Sequence, residues 1–477
     1  MNKLRKIKIL LFITSAMALP ASANAATLLE IYQQALQSDP LIHEAEARRL
    51  AALEAKPQAR GAYLPQVSFS SGYTMNEQSG PDFAQVDPPP APPVVVTATT
   101  ESDVLDWRFD LRQSIFRWDQ IVNLRRADKL VARAEAVREA AQQDLIIRVA
   151  QRYFDVLAAE DVLTSIHADR TAIARRLEQA KQRFEVGLIA ITDVQESQAA
   201  YDQSVADEIG AKRQLATARE FLREITGEYV TKLSAPKPDF PLQRPEKSER
   251  EWVDLSMSQN LNLVASRLDE KLARDEIAFR RNGHYPTLEL VANTGETDSE
   301  VKYSAAGISQ PTSDFTRTSD SIGIQFNLPL FAGGGTSSRV REAVYLHRAS
   351  REQLQRVTRE TERQSRDAYL GVLAEESRVK ALQQAVASSR TALEATQAGF
   401  DVGTRTIVDV LNSQFALYAA ITNYEKSRYD YILNALRLKQ AAGTLQVQDL
   451  EQIDMWLTER KTPEEAFAEE AAAESGS

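Results

Sequence analysis

Few residues of this chain are spaced for chemistry. The four histidines, His43, His167, His284 and His347, are scattered, and none has a ligand partner at the i+4 spacing of a helical metal site. The chain has no cysteine, so it lacks a thiolate metal site, a Cys nucleophile, a disulfide framework and a lipid-modified N-terminal Cys. No nucleophile-elbow pattern supports a serine triad. Gly333-Gly334-Gly335 lacks the Lys-Ser/Thr that would cradle a phosphate and reads as a turn. The 67 Asp+Glu outnumber the 57 Lys+Arg, for a net charge of −10, which argues against nucleic acid as a partner. Most of these carboxylates are spread as they are on solvated helix faces. Asp409 falls just inside a predicted helix, where a carboxylate is stabilised by the helix dipole. These patterns describe a non-enzymatic protein without a cofactor or a structural metal.

The elements that must position such residues begin after a leader. Lys3, Arg5, Lys6 and Lys8 precede an apolar run, Ile9 to Leu19, and Ala23-Asn24-Ala25 is a small-x-small cleavage site. Residues 1–25 therefore read as a secretory signal peptide, too short in its apolar part to span a membrane. Its removal leaves 53 Lys+Arg against 67 Asp+Glu, a net charge of −14 on 452 residues. Size alone predicts about three domains at roughly 150 residues each. An internal repeat predicts two units instead. A shift of 216 residues lays Phe184-Glu185-Val186-Gly187 on Phe400-Asp401-Val402-Gly403, and Ile191, Asp193, Val194, Ser197 and Gln198 on Ile407, Asp409, Val410, Ser413 and Gln414. The offset is too long for a solenoid, so each half is a complete structural unit. The expected repeats are 26–230 and 259–445, joined by a linker at 231–258 and followed by a segment at 446–477 whose acidic end reads as disordered.

Each half pairs long helices with two strands, a mixed α and β fold. Residues 119–186 and 336–402 lack proline and are rich in good helix formers. Each would be a helix about 100 Å long. Helices over 192–226 and 406–443 follow short turns. Leu130, Ala134, Val137, Ala141, Leu145 and Val149 form one coiled-coil stripe, and Val410, Leu417, Tyr424 and Tyr431 another. Strand pairs are expected at about 64–76 with 104–116, and 285–296 with 319–331. Leu105, Trp107, Phe109 and Leu111 alternate with Asp106, Arg108, Asp110 and Arg112, and Ile322, Ile324 and Phe326 alternate with polar residues. Apolar-out alternation over ~9–11 residues suits an outer-membrane barrel. A half-buried soluble sheet has the same pattern.

Tyr63, Phe116, Trp118, Tyr285 and Phe331 cluster where helices meet strands, as an interfacial aromatic girdle does. Residues 77–102, with six of the 18 prolines, read as a long outer loop. Four strands cannot close a barrel, and lipid forbids open edges, so copies must share one. Eight strands leave no channel, so a conduit favours twelve, a homotrimer. The competing expectation is a secreted structural or adhesive coiled coil with a soluble β domain.

The tip segments Val186-Gly-Leu-Ile-Ala-Ile-Thr-Asp-Val194 and Val402-Gly-Thr-Arg-Thr-Ile-Val-Asp-Val-Leu411, with Gly443-Thr444-Leu445 and Gln448-Asp449-Leu450, resemble the TolC family of outer-membrane channel proteins. The resemblance covers essentially the whole mature chain. It implies a trimeric exit duct in the outer membrane of a Gram-negative bacterium, with a helical tunnel across the periplasm and a collar around its middle. Its implied partners are a periplasmic adaptor and an inner-membrane transporter, ABC-type or proton-driven, for efflux or type I protein secretion. By the same resemblance Asp409 lines the pore constriction. Asn412 takes a second constriction position where well-known members have Asp, and the Asp409 ring would be a site of cation block. Thr192, Asp193 and Arg405 match the latch that holds the closed tip. Phe400 stands where the family's latch uses a tyrosine hydroxyl. The turns at Gly187-Leu188 and Gly403-Thr404 match adaptor-docking points.

Overall fold

The computed structural model describes residues 25–84, 94–305 and 308–475. The expected leader lies outside the described residues except for Ala25, and so does part of the expected outer loop. In chain order, α1 (Leu28–Ser38), α2 (Pro40–Leu53) and α3 (Ala55–Gly61) precede β1 (Gln66–Ala84) and β2 (Val94–Phe116). Then come α4 (Trp118–Glu185), α5 (Ile191–Thr226), β3 (Ser234–Pro236), α6 (Glu249–Gln259) and α7 (Leu261–Arg280). β4 (Thr287–Ala305), β5 (Ile308–Ser309) and β6 (Ser313–Asn327) form the second strand group. They are followed by α8 (Gly335–Asp401), α9 (Ile407–Ala441), α10 (Val447–Asp454), β7 (Leu457–Glu459) and α11 (Pro463–Ser475).

The chain divides into two compact units, and each draws on both sequence halves. One comprises Glu44–Glu139 and Leu261–Glu360. Its sheet is antiparallel, with β1 on β2, β2 on β4, and β4 on β6. Val67 faces Leu111, Phe69 faces Phe109 and Tyr73 faces Leu105, while Leu290 faces Ile324 and Ala292 faces Ile322. Cross-strand partners share a face, so these residues make one apolar surface. It is uncovered in the single chain: Val67 is 65% and Ile322 77% exposed. β1 and β6 are not paired with each other, so the sheet is open.

Three expectations are corrected here. The strands run 19, 23, 19 and 15 residues in β1, β2, β4 and β6, longer than the 12 or 13 residues of the expected ranges. The segment read as a loop at 77–102 is mostly ladder, from Glu77 opposite Glu101 to Ala84 opposite Val94. From Glu77 to Pro81 and from Thr97 to Glu101 the paired residues are mostly polar or small, and the Val94-Val95-Val96 run at the far end does not alternate, so the ladder continues on backbone bonds without a hydrophobic alternation to reveal it. Pro81 is tolerated because β1 is an edge strand. Within the α4 stripe, Leu130 and Val137 are 38% and 41% exposed, because the single chain leaves that face uncovered.

The other unit comprises Met1–His43, Ala140–Asn260 and Thr361–Ser477. Its core gathers Leu28, Ile31 and Tyr32 of α1, Leu145, Tyr153, Phe154 and Leu157 of α4, Leu222 of α5, Ile432 of α9 and Leu450 of α10. Phe154 stacks on Tyr429 at 5.4 Å. The buried Tyr153 hydroxyl donates to the Ser234 carbonyl at 2.6 Å. β3 pairs with β7, so the Pro-rich segment after α5 is tied to the C-terminal segment. Tyr431 then fastens that segment to α9: its hydroxyl accepts from Gln243 N and donates to Gln243 O, both at 2.7 Å.

The acidic end, expected to be disordered, is corrected to a helix over Pro463–Ser475. Thr462 and Glu465 form reciprocal N-terminal bonds of 3.0 and 3.2 Å. Arg219 pairs with Glu464 at 2.9 Å, and the Phe467 ring stacks on His167 at 3.6 Å. Acidic side chains suit the first turn of a helix, and alanine favours its interior.

Candidate functional site

Two turns carry the residues singled out by the sequence, and both lie in the second of these units. α4 and α8 end in the same way. Gly187 and Gly403 take φ +76° and +83°, a left-handed conformation favoured by glycine. The Leu188 amide donates back to Arg183 O and the Thr404 amide to Gly399 O, at 2.9 and 2.8 Å.

The starts of α5 and α9 differ. Thr406 caps α9, and its hydroxyl accepts from the Asp409 amide at 3.2 Å. The Asp409 carboxylate accepts in turn from Thr406 N and Oγ1 at 2.9 and 3.0 Å. These two bonds, with the Arg405 guanidinium nearby, hold the Asp409 pKa below the usual aspartate range. Asp409 thus both completes the capping box of α9 and carries a negative charge at its start. Asn412, three residues on and exposed, shares its helix face. In α5 the cap position is Ala190, which has no side-chain oxygen to bond, so Asp193 has no reciprocal cap bond.

Asp193 and Phe400 come together. Both line a cavity of about 20 Å³, with Arg176, Arg183, Ile189, Gln397 and Ile407 among the other lining residues. That is room for about one water. Thr192 and Arg405 are exposed, and Arg405 lies near enough to Asp409 to help hold its carboxyl pKa low. Gly187, Leu188, Gly403 and Thr404 are all exposed at the two turns. The sequence reading missed Arg183. Its guanidinium lies over the Phe400 ring, 5.3 Å from the centroid, and 4.0 Å from Asp401.

The aromatic cluster belongs to the sheet unit. Trp118 packs on Tyr285 at 5.3 Å, and its indole N–H donates to Ala278 O at 3.0 Å. Phe116 and Tyr285 are partly exposed, Phe331 is 89% exposed and Tyr63 is half-buried. All five sit within a few residues of the same end of the ladder, where Gln66 faces Arg112 and Thr287 faces Asn327. Among the described residues no helix is long and apolar enough to cross a membrane, and no group of three or more His, Asp or Glu is placed to hold a metal.

The model of the outer membrane efflux protein family matches residues 31–228 and 252–444, most of the chain. The chain belongs to the outer membrane efflux protein family. It is 38% identical to outer membrane protein TolC of Vibrio cholerae over 451 residues, 94% of this chain and 98% of that protein. It is 36% identical to TolC of Escherichia coli, covering 90% of this chain and 84% of that protein. The alkaline protease secretion protein AprF of Pseudomonas aeruginosa is 28% identical over 96% of this chain and 93% of its own length. Among solved structures, the outer membrane protein VceC of Vibrio cholerae shares the fold with a TM-score of 0.65 at 19% identity, covering 87% of this chain and 96% of its own. The outer-membrane channel OprN has a TM-score of 0.69 at 16% identity, over 88% of this chain and 90% of its own. Membership makes this an outer-membrane channel protein of the efflux and type I secretion class, and not an enzyme. The soluble adhesive coiled coil is set aside.

Proposed function

We propose that three copies share one conduit, with a 12-stranded barrel in the outer membrane and a gate at the α4–α5 and α8–α9 turns. The open sheet carries this reading. Its edges β1 and β6 are unpaired, and its apolar face is exposed. Backbone groups on an open edge cannot face hydrocarbon, so the sheet closes only with further copies. Three copies make the smallest barrel wide enough for a channel. The five aromatics would sit at the membrane interface. In the gate, three Asp409 side chains would form a charge ring that favours cations, with Asn412 contributing no charge. Arg405, Thr192 and Asp193 would hold neighbouring turns together, and the exposed turns at Gly187-Leu188 and Gly403-Thr404 would receive a periplasmic adaptor. An inner-membrane transporter, ABC-type or proton-driven, would supply cargo. The likenesses to TolC and to a protease secretion protein support small toxic compounds and secreted proteins alike.

The purified protein in planar bilayers tests this reading. The wild type is expected to give small, cation-preferring currents, and Asp409→Ala to move the cation-to-anion permeability ratio toward one. An unchanged ratio would remove Asp409 from the constriction. The pH profile adds a second check. Because the folded pKa of Asp409 is depressed, its charge and its cap bonds are complete above the ordinary aspartate value. They are lost only as pH falls through the lower folded value. Cation preference should therefore stay level from neutral pH down to about 4 and fall below that.

A further inference from the structure

The two repeats are not copies of one another at the gate. At the 216-residue shift, Arg183 falls on Gly399 and Ile189 falls on Arg405. The arginine has changed place between the turns. Gly399 makes room for its own arginine: a Cβ there would lie 2.8 Å from Arg405 Cγ. Arg183 reaches the other way. It leaves the last turn of α4 and lies over the ring of Phe400, at the end of α8. A guanidinium 5.3 Å from a ring centroid is within cation–π range. Asp401, 4.0 Å away, supplies a countercharge on the same helix as the ring.

We propose that Arg183 is a positioning residue of the gate, pinning the α8–α9 turn to the α4–α5 turn in the closed state through the Phe400 ring and Asp401. The proposal rests on the duct reading above and deepens it. Phe400 has no hydroxyl to bond the neighbouring turn. The ring face does that work instead, and it needs a planar cation on α4. Arginine suits this better than lysine, because the guanidinium is flat and weakly hydrated. The simpler role for Arg183 is a cation at a helix C-terminus, complementing the dipole. A lysine would fill that role equally well and would not depend on Phe400.

Single-channel recording separates the two roles. Arg183→Gln and Phe400→Leu are each expected to raise the open probability by about fivefold or more. The double variant should do no more than the larger single one, because both remove the same contact. Arg183→Lys should fall between wild type and Arg183→Gln. In 1 M salt, where the Debye length is about 3 Å, the effect of Asp401→Asn should vanish while those of Arg183→Gln and Phe400→Leu persist. An Arg183→Lys channel identical to wild type, or additive effects in the double variant, would overturn the proposal. Recovery of intact trimer by size measurement checks that each variant folds. Arg405→Ser with Thr192→Val, recorded in parallel, keeps the two readings apart. If that pair opens the channel while Arg183→Gln and Phe400→Leu do not, only the Arg183 proposal fails. If none of the variants alters conductance, the gate assignment itself fails.

Discussion

Gly443→Ala is expected to destabilise the folded chain by about 2–5 kcal/mol and to lower the yield of assembled protein sharply. Gly443 follows α9 with φ +73°, where an L side chain is strained. Space is the larger problem. A Cβ at this position would lie 2.3 Å from the Gln259 carbonyl oxygen and 2.6 Å from its carbon. These are backbone atoms at the end of α6, and they cannot rotate away. Asn260 is fixed there by its own bond to Ala441 O at 3.0 Å. Gly187→Ala is the control. Its φ of +76° is similar, but nothing lies within 4 Å of the added Cβ. It should cost only about 1–2 kcal/mol. Urea unfolding of the two variants against wild type measures the difference. Equal losses would mean that the approach of Gln259 to the end of α9 is not tight.

The second large effect is expected at Arg428. Its side chain is 5% exposed, it pairs with Glu425, and its guanidinium donates to Lys237 O and, at 3.1 Å, to Pro236 O. The rings of Phe240 and Tyr424 flank it at 5.1 and 5.7 Å. Arg428→Leu removes the guanidinium that these carbonyls accept from and leaves the partly buried Glu425 carboxylate without its ion-pair partner, with Arg460 as its remaining nearby cation. Such losses cost about 3–5 kcal/mol. The Glu425 pKa is already raised by burial, against the opposing pull of Arg428. Without Arg428 it rises further. A carboxylate whose folded pKa lies above its unfolded value binds protons more tightly when folded. Stability therefore falls as pH rises through that window and recovers as pH is lowered. The deficit of Arg428→Leu should shrink between neutral pH and about 5, and adding Glu425→Gln should remove its pH dependence. A deficit that stays constant with pH would mean that Glu425 does not carry it.

The four long helices read from the sequence, 119–186, 192–226, 336–402 and 406–443, lie within two residues of α4, α5, α8 and α9, whereas α6 and α11 fall in stretches read as linker and tail. The long runs 119–186 and 336–402 lack proline, and a glycine able to take positive φ follows each, so start and stop are both written locally. Strand length was not legible, because hydrophobic alternation marks only the part of a strand with one apolar face. The ladder from Glu77–Glu101 outward has none. The C-terminal helix escaped notice because composition alone cannot show that Phe467 finds His167 or that Glu464 finds Arg219. At the proposed gate, Asp409 was readable as a carboxylate at a helix start, and the structure adds the threonine that holds it. Arg183 was not readable, since its partner Phe400 lies in the other repeat. The exchange of arginine between positions 183/399 and 189/405 was the available signal.

The central claim is that three copies surround one pore lined by residue 409. The chain has no cysteine, so Asp409→Cys would carry the only thiol. Adding a bulky, membrane-impermeant thiol reagent during single-channel recording should reduce the current in up to three discrete steps, one per protomer. Asn412→Cys, on the same helix face, should behave alike. Complete labelling of either cysteine, confirmed by mass, with no change in current would contradict the account.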